Sequence, residues 1–264
     1  MSKTSNYEAK IPDENGIIAY RDEENAVWHD LITRQMDIIQ ERACPEFIDG
    51  LEILDLPTDR IPQPEEVSNK LMQRTGWQIE PVPALINFDR FFSLLAQKRF
   101  PAASFIRSRE EMDYLQEPDI FHEIFGHATM LTHQAFADYT EAYGKAGLNA
   151  SKSDRVMLAR LYWFTVEFGL IDSHDGIRSY GGGINSSPGE CVYAVESDQP
   201  IRRRFDILSA LRTPYRIDIY QPVYYVLHNF NDMFELAGMD LINWIRKARV
   251  MGEFAPLFPP KQAA

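Results

Sequence analysis

The chain has 264 residues, of which 45% are hydrophobic, 12% aromatic and 25% charged. This length and composition are typical of one globular domain with a sizeable core, or at most two small domains, and they exclude a disordered chain. The formal net charge of −12 argues against nucleic acid or an anionic membrane as a partner, because polyanions would repel the protein.

The sequence predicts neither a disulfide framework nor a membrane segment. Its two cysteines, Cys44 and Cys191, lie far apart, which is typical of a reducing compartment. The first residues are polar and lack the apolar stretch of a signal peptide. No apolar run approaches the ~20 residues of a membrane span. We therefore expect a soluble, cytoplasmic protein.

Hydrophobic periodicity and turn residues predict one mainly α-helical domain with a few short β-strands. Residues 1–22 carry no periodic pattern and are expected to form an N-terminal arm, residues 23–250 the domain, and residues 251–264 a C-terminal tail. The elements expected in the first half are a helix over 24–42, a helix over 64–74, an extended edge segment over 77–86, a helix capped by Asn87 and running to about 98, and a short strand over 100–106.

The second half is expected to be helical around two motifs. The predicted elements are helices over 118–130, 132–143 and 151–168, a strand over 177–180, a helix that begins at Ser187-Pro188, a strand over 215–225 and a final helix over 230–247. The basic run Arg202-Arg203-Arg204 is interpreted as a solvated face.

Two histidines and a glutamate suggest a metal centre. His122 and His127 lie in the segment EPDIFHEIFGH, and Glu167 lies in the apolar run over 162–170. An ionised glutamate in such surroundings needs a partner, either a metal ion or an arginine. Two histidines and one carboxylate are the ligand set of a non-haem iron(II) centre that keeps coordination positions open.

The spacing of the histidines separates this motif from the zinc proteases. In those enzymes the motif is H-E-x-x-H, with the histidines four residues apart. Here they are five apart, and the fifth position lies about 140° round an α-helix, against about 40° for the fourth. Both can reach one metal if His122 lies in an irregular first turn, or if the helix widens into a π-type bulge, for which Gly126 leaves room. A zinc hydrolase with Glu123 as general base and a binding module whose histidines only pack remain as alternatives.

Three segments occur together in the order and at the spacings of one enzyme family: EPDIFHEIFGH, LYWFTVEFGL and YGGGINSSPGE. Through them, residues 77–234 resemble the tetrahydropterin-dependent aromatic amino acid hydroxylases, and most closely the bacterial members that act on phenylalanine. The resemblance implies the fold of that catalytic domain, with Fe(II) bound by His122, His127 and Glu167 and with tetrahydrobiopterin or a related tetrahydropterin as cofactor. It implies hydroxylation of L-phenylalanine to L-tyrosine with O2; a related hydroxylase acting on tryptophan is the alternative.

The same resemblance assigns the residues that bind the substrate. Arg107 matches the arginine that grips the substrate carboxylate, a role suited to the planar guanidinium. Ser186 matches the serine that works with this clamp, and Gly183 lets the backbone approach the amino acid. Pro118 and Trp163 match residues that line the pocket for the aromatic ring.

The residues implied for the pterin lie before, within and after the metal motif. Phe91 and Tyr162 match the aromatic residues that flank the pterin ring. Glu123 matches a glutamate on the pterin side of the iron, and Ile86 and Ala159 are expected to touch the same ring.

Substrate preference and oligomeric state are also implied. Tyrosine hydroxylases carry an aspartate where this chain has Ile217, and tryptophan hydroxylases usually have phenylalanine in place of Trp163, so both positions favour phenylalanine. The lack of a tetramerising tail favours a monomer. The chain departs from the family pattern at Ala128-Thr129, where valine-proline is usual, and at Phe88 and Leu115 near the two pockets.

Overall fold

The structure is a computed structural model and describes residues 7–83, 85–113, 115 and 117–260. Helices dominate it, as expected. The α-helices are α1 (Asp22–Ile39), α2 (Pro45–Leu54), α3 (Pro64–Arg74), α4 (Phe88–Ala96), α5 (Gln134–Asn149), α6 (Lys152–Tyr162), α7 (Gly182–Asn185), α8 (Pro188–Glu196), α9 (Ile207–Arg212), α10 (Asn231–Ala237) and α11 (Leu241–Met251). Two short 3₁₀ helices span Arg109–Glu111 and Met130–Thr132, and two π-helices span His122–Ala128 and Trp163–Glu167.

The part of the chain that the structure describes contains six strands, which form two small sheets. They are β1 (Gln78–Val82), β2 (Arg99–Ala103), β3 (Gly169–Ser173), β4 (Gly176–Ser179), β5 (Ile201–Arg204) and β6 (Val223–Leu227). The first two pair in parallel, with Gln78 opposite Arg99. The other four lie in the order β4-β3-β6-β5, and only β3 and β4 run antiparallel.

Local sequence signals account for the ends of several helices. The side chain of Asn87 accepts a hydrogen bond from the backbone N–H of Arg90 at the start of α4, as predicted. Ser151 caps α6 in the same way, and Ser187 with Pro188 begins α8. These caps satisfy backbone donors that have no partner inside the helix.

Part of the hydrophobic core packs against the first π-helix. Phe121 and Phe125 stack with ring centroids 4.9 Å apart on its buried side. Trp28 from α1 meets Phe121 edge-on at 5.6 Å, and Phe47 from α2 meets Phe125 at 5.9 Å. This aromatic packing holds one side of the π-helix, so that its two histidines project from a fixed support.

Several predicted elements have other bounds. The helix expected over 151–168 is α6 followed by the second π-helix, and the chain turns straight into β3. The strand expected over 215–225 is an irregular loop that leads into β6. The final helix over 230–247 is two helices, since Gly238 ends α10 and Asp240 caps α11.

Some elements were not predicted. Helix α2, helix α9 and strand β5 gave no clear periodic signal. The arginines of β5 lie in an edge strand whose side chains mostly face solvent, which agrees with the solvated face that was expected. Within the described residues, no helix combines the length and apolar character that crossing a membrane requires.

Candidate active site

The first π-helix explains how two histidines five residues apart meet. Hydrogen bonds in a π-helix run from residue i to i+5, so residues at this spacing lie about one turn apart. The Nε2 atoms of His122 and His127 are 3.0 Å from each other. Of the two geometries considered from the sequence, the π-type bulge is therefore confirmed.

A second π-helix brings in the carboxylate. Glu167 is its last residue, and its Oε2 lies 3.3 Å from Nε2 of His127 and 3.7 Å from Nε2 of His122. Atoms that share a first-row metal ion at about 2.0–2.2 Å are expected at such separations. The three predicted ligands thus converge.

A serine fixes the tautomer of His122. The Ser186 hydroxyl donates to the carbonyl oxygen of Gly182 at 2.7 Å, so at the 2.9 Å contact with His122 it must accept from Nδ1–H. A neutral His122 then carries its lone pair on Nε2, the atom that faces His127 and Glu167. This is the form that binds a metal ion, and Ser186 is the hydrogen-bond partner that orients it.

The charges around the site favour Glu167 over Glu123 as the carboxylate ligand. A Glu123 oxygen also lies within 4.8 Å of ligand atoms of both histidines. Burial, together with the charges of Glu167 and Asp119, raises the pKa of Glu123 well above its usual value, which favours its protonated form. Burial alone would raise the pKa of Glu167, but His127 and His122 hold it below its usual value, so it is ionised. Burial lowers the pKa of His122 to about 4, which leaves it neutral.

The glycine triplet over 181–183 lets the backbone of α7 pack against the ligands. A Cβ on Gly182 would lie 2.4 Å from Nδ1 of His127, and one on Gly183 would lie 3.0 Å from Oε2 of Glu167. Nδ1 of His127 is buried against this backbone, without a hydrogen-bond partner among the described residues. Gly183 was predicted to let the backbone approach the amino acid, and in the structure it also adjoins Glu167.

Arg107 is held by a residue that the sequence reasoning missed. Its Nε and Nη2 each donate to a carboxylate oxygen of Asp119 at 2.8 Å, and its backbone N–H donates to the same carboxylate at 3.0 Å. Burial alone would raise the pKa of Asp119, but the guanidinium holds it below its usual value. Asp119 also accepts from the backbone N–H of His122 at 3.0 Å, so one carboxylate links the arginine to the metal helix. An aspartate three residues before a histidine at a helix start is a capping signal that would have identified it.

An aromatic pair lies beside His127 where the pterin is predicted to bind. Phe91 meets Tyr162 edge-on, with ring centroids 5.7 Å apart, and Tyr162 lies 6.3 Å from the ring of His127. Ile86 is next to the residue that caps α4, and Ala159 lies one turn before Tyr162. Both are half-buried, and their contacts with a cofactor stay a prediction.

Trp163 lies among aromatic side chains at the start of the second π-helix. It stacks on Tyr215 at 4.5 Å with an interplanar angle of 19°, and its ring centroid is 4.4 Å from that of Phe168. Its indole N–H donates to Oε1 of Gln221 at 3.0 Å. Pro118 is half-buried beside Asp119, and its role in the ring pocket stays a prediction.

A comparison with protein families matches residues 2–247 to the biopterin-dependent aromatic amino acid hydroxylases. The chain belongs to this family. It is 56% identical to the phenylalanine-4-hydroxylase of Pseudomonas aeruginosa, with 99% of this chain and all of that protein aligned. The apo structure of the cold-active phenylalanine hydroxylase of Colwellia psychrerythraea 34H superimposes with a TM-score of 0.95 at 56% identity, covering 98% of this chain and 100% of the other.

A hydroxylase of this family has been solved with both expected groups bound. The structure of Chromobacterium violaceum phenylalanine hydroxylase with iron(III) and oxidised 7,8-dihydrobiopterin has a TM-score of 0.87 and 41% identity, covering 95% of this chain and 90% of that one. The residues of the present chain suit the same groups. Two imidazoles and an ionised carboxylate converge on one point, and the Phe91–Tyr162 pair lies next to His127.

Proposed function

We propose that this hydroxylase is a phenylalanine 4-monooxygenase, which converts L-phenylalanine to L-tyrosine with O2 and a tetrahydropterin at a non-haem Fe(II) centre. The observation that carries the proposal is the convergence of Nε2 of His122, Nε2 of His127 and Oε2 of Glu167 within 3.7 Å of one another. Iron and the tetrahydropterin, when bound, supply the reductive activation of O2 that aromatic hydroxylation requires.

The role of Arg107 is to bind the substrate carboxylate. Its Nε and Nη2 donate to Asp119, which leaves Nη1 for a second carboxylate. The side chain is only 6% exposed, so a bound carboxylate would be shielded from water and held firmly. Because Asp119 also binds the backbone of His122, the bound amino acid takes up a fixed position relative to the metal helix.

The roles of Trp163 and Pro118 are to hold the phenyl ring. Trp163 cannot turn freely, since its indole N–H is bound by Gln221 and its ring stacks on Tyr215. A rigid aromatic wall places the ring at a defined distance from Glu167, the iron ligand on the same π-helix, which favours attack at one carbon. It also excludes water from the reacting centre.

The pterin is assigned to the side of the site that carries Phe91, Tyr162 and Glu123. The two aromatic rings supply apolar surface for a planar ring system. A protonated Glu123 can donate a hydrogen bond to it, directly or through water. Ile86 and Ala159 would complete the apolar lining.

The alternatives fit less well. A zinc hydrolase would need the histidines four apart on one helix face, whereas the π-helix here accommodates a spacing of five. A tryptophan hydroxylase would need a pocket for a larger ring, and this chain carries the larger Trp163 where those enzymes usually have phenylalanine.

The test is turnover by purified protein loaded with Fe(II) and given phenylalanine, a tetrahydropterin and O2. We expect tyrosine to form only when iron and pterin are both present. The Glu167→Ala variant and the Zn(II)-loaded protein are the controls, and both should be inactive, because zinc cannot change its oxidation state. Tyrosine formation by the zinc form, or equal turnover of tryptophan, would contradict the proposal.

The molecular context is proposed as well. We propose a catalytic domain over 23–250 with an arm and a tail, acting as a monomer in the cytoplasm. Cys44 and Cys191 are buried free thiols, the state that a reducing compartment maintains. Light scattering at micromolar concentration tests the oligomeric state, and cell fractionation tests the location.

A further inference from the structure

The loop over 213–222 connects α9 to β6 and forms part of the surroundings of Trp163. It has no regular secondary structure, yet it carries both Tyr215, which stacks on Trp163, and Gln221, which binds its indole N–H. An irregular segment at a substrate pocket needs specific contacts to keep one conformation.

Gln221 supplies these contacts through its side-chain amide and its backbone N–H. Oε1 accepts from the indole N–H of Trp163 at 3.0 Å, and Nε2 donates to the carbonyl oxygens of Arg216 and Ile219 at 2.9 and 3.0 Å. Its backbone N–H donates to Oε1 of Glu190 at 3.1 Å. At 1% exposure it is out of reach of bulk water, so each of these groups depends on its protein partner.

Glu190 anchors Gln221 to the sheet. Its Oε1 also accepts a hydrogen bond from the hydroxyl of Tyr224, a fully buried residue of β6. Glu190 is 5% exposed and forms no ion pair with a cation among the residues that the structure describes. A carboxyl group in such a place stabilises the fold less than an apolar side chain would. Glu190 instead provides one oxygen atom, Oε1, that accepts hydrogen bonds from both Gln221 and Tyr224.

We propose that Gln221 and Glu190 are positioning residues for hydroxylation: together they hold the indole of Trp163 in the orientation that the phenylalanine ring requires. This rests on the function proposed above. The backbone of Trp163 is fixed by the π-helix that ends at Glu167, and Gln221 fixes the far end of its side chain. Trp163 is thereby held at its backbone and at its indole N–H, in a fixed position relative to the iron ligand Glu167.

Loss of Gln221 should change the binding of the substrate and not the binding of the metal. None of the hydrogen bonds of Gln221 involves His122, His127 or Glu167. Loss of Gln221 should therefore leave iron binding intact. It should raise the KM for phenylalanine and lower the ratio of tyrosine formed to pterin oxidised, because a mobile wall lets the ring leave its reactive position.

The test compares Gln221→Leu, Glu190→Ala and Glu190→Gln in the iron-loaded protein. For the first two we expect the KM for phenylalanine to rise roughly tenfold, as loss of buried hydrogen bonds predicts. The amide oxygen of Glu190→Gln can still accept from Gln221 and Tyr224, so this variant should behave like the wild type. The matched control is Thr75→Val, which removes a buried 2.7 Å hydrogen bond to the carbonyl oxygen of Leu131 and involves neither Trp163 nor the loop over 213–222.

A double-mutant cycle isolates the contact with Trp163. In Trp163→Phe the indole N–H is gone, so adding Gln221→Leu should change the KM much less than it does in the wild type. Additive effects would overturn the proposal, as would an equal rise in KM in Thr75→Val, or loss of iron in step with the rise in KM. If Gln221→Leu does not fold, Gln221→Glu replaces it; this variant keeps an acceptor for the indole and should raise the KM less than Glu190→Ala does. A wild type that forms no tyrosine at all would contradict the proposed function itself, which is a separate result.

Discussion

Asp119 accepts hydrogen bonds from two parts of the active site. It binds the guanidinium and backbone of Arg107 and caps the backbone at His122. The pair is buried, with Asp119 fully shielded from solvent. Removing one partner of a buried ion pair leaves the other charge without compensation, which is far worse than breaking an exposed pair.

The Asp119→Asn variant should therefore lose about 3–5 kcal/mol of unfolding free energy and bind phenylalanine more weakly. An exposed pair in the same chain provides the control: Arg60 and Glu66 also form two hydrogen bonds, but their side chains are 44% and 47% exposed. Glu66→Gln should change stability by about 1 kcal/mol or less. Urea denaturation and the KM for phenylalanine measure both effects. Equal losses in the two variants would show that burial of the Arg107–Asp119 pair is unimportant.

Glu190 makes stability depend on pH. Burial raises its pKa from 4.5 to about 7, so the folded protein holds a proton that the unfolded chain releases. The stabilisation that the folded protein gains by holding this proton is fully present below about pH 4.5, and it is lost as the pH rises through about 7. Relative to Glu190→Gln, which cannot titrate, the wild type should lose about 2–3 kcal/mol of unfolding free energy over this window. Parallel stability curves for the two proteins between pH 5 and 8 would contradict the assignment.

At the scale of elements, the metal centre depends on α7 meeting the first π-helix without side chains between them. A Cβ on Gly126 would lie 2.7 Å from the carbonyl oxygen of Gly182, and a Cβ on Gly182 would enter the ring of His127. The two glycines thus set the distance between these elements.

The Gly182→Ala variant should consequently bind Fe(II) weakly, because the added methyl group pushes the imidazole of His127 away from Glu167. Gly238→Ala is the control, since its Cβ would meet nothing closer than 3.5 Å and its φ is ordinary. Iron content after dialysis against a limiting chelator measures the difference. Full iron occupancy in Gly182→Ala would mean that the ligand helix can shift at little cost.

Elements with strong local signals were predictable, and those defined by distant partners were not. The metal motif, the Asn87 cap and the start of α8 lie within a few residues of the signals that specify them. Strand β5, by contrast, exists because Ile201 to Arg204 pair with β6, and nothing local in three arginines indicates a strand. Strand β3 follows a buried helix without a polar break, so the apolar run gave no boundary.

In the candidate site, too, features specified by nearby residues were predictable and those that depend on distant partners were not. The spacing of His122 and His127 left a π-helix as one of two possible geometries, and the structure selects it. Gln221 was missed because its partner Trp163 lies 58 residues away, and a glutamine in a loop has many ordinary roles. Its importance is evident only when the fold brings the two together.

At the scale of the whole molecule, the C-terminal segment lies along the loop that carries Tyr215. The backbone N–H of Phe254 donates to the carbonyl oxygen of Arg212 at 2.9 Å, and the Arg212 guanidinium lies 4.1 Å from the ring centroid of Phe254. Farther along, Arg216 donates to the carbonyl oxygen of Pro259 at 3.1 Å. Both arginines flank Tyr215 in sequence, so the tail supports the outer side of the loop that Gln221 holds from within.

A chain shortened to residue 251 should keep its fold and lose rigidity in this loop. The contacts removed are exposed and weak, so the free energy of unfolding should fall by about 1–2 kcal/mol at most. Trypsin should cut after Arg216 several times faster than in the full chain, because local opening of the loop no longer has to break the contact with Pro259. Mass spectrometry of timed digests measures the rate at this bond, and cleavage after the buried Arg107 serves as the internal control. An unchanged rate at Arg216 would show that the tail lies on the loop without restraining it.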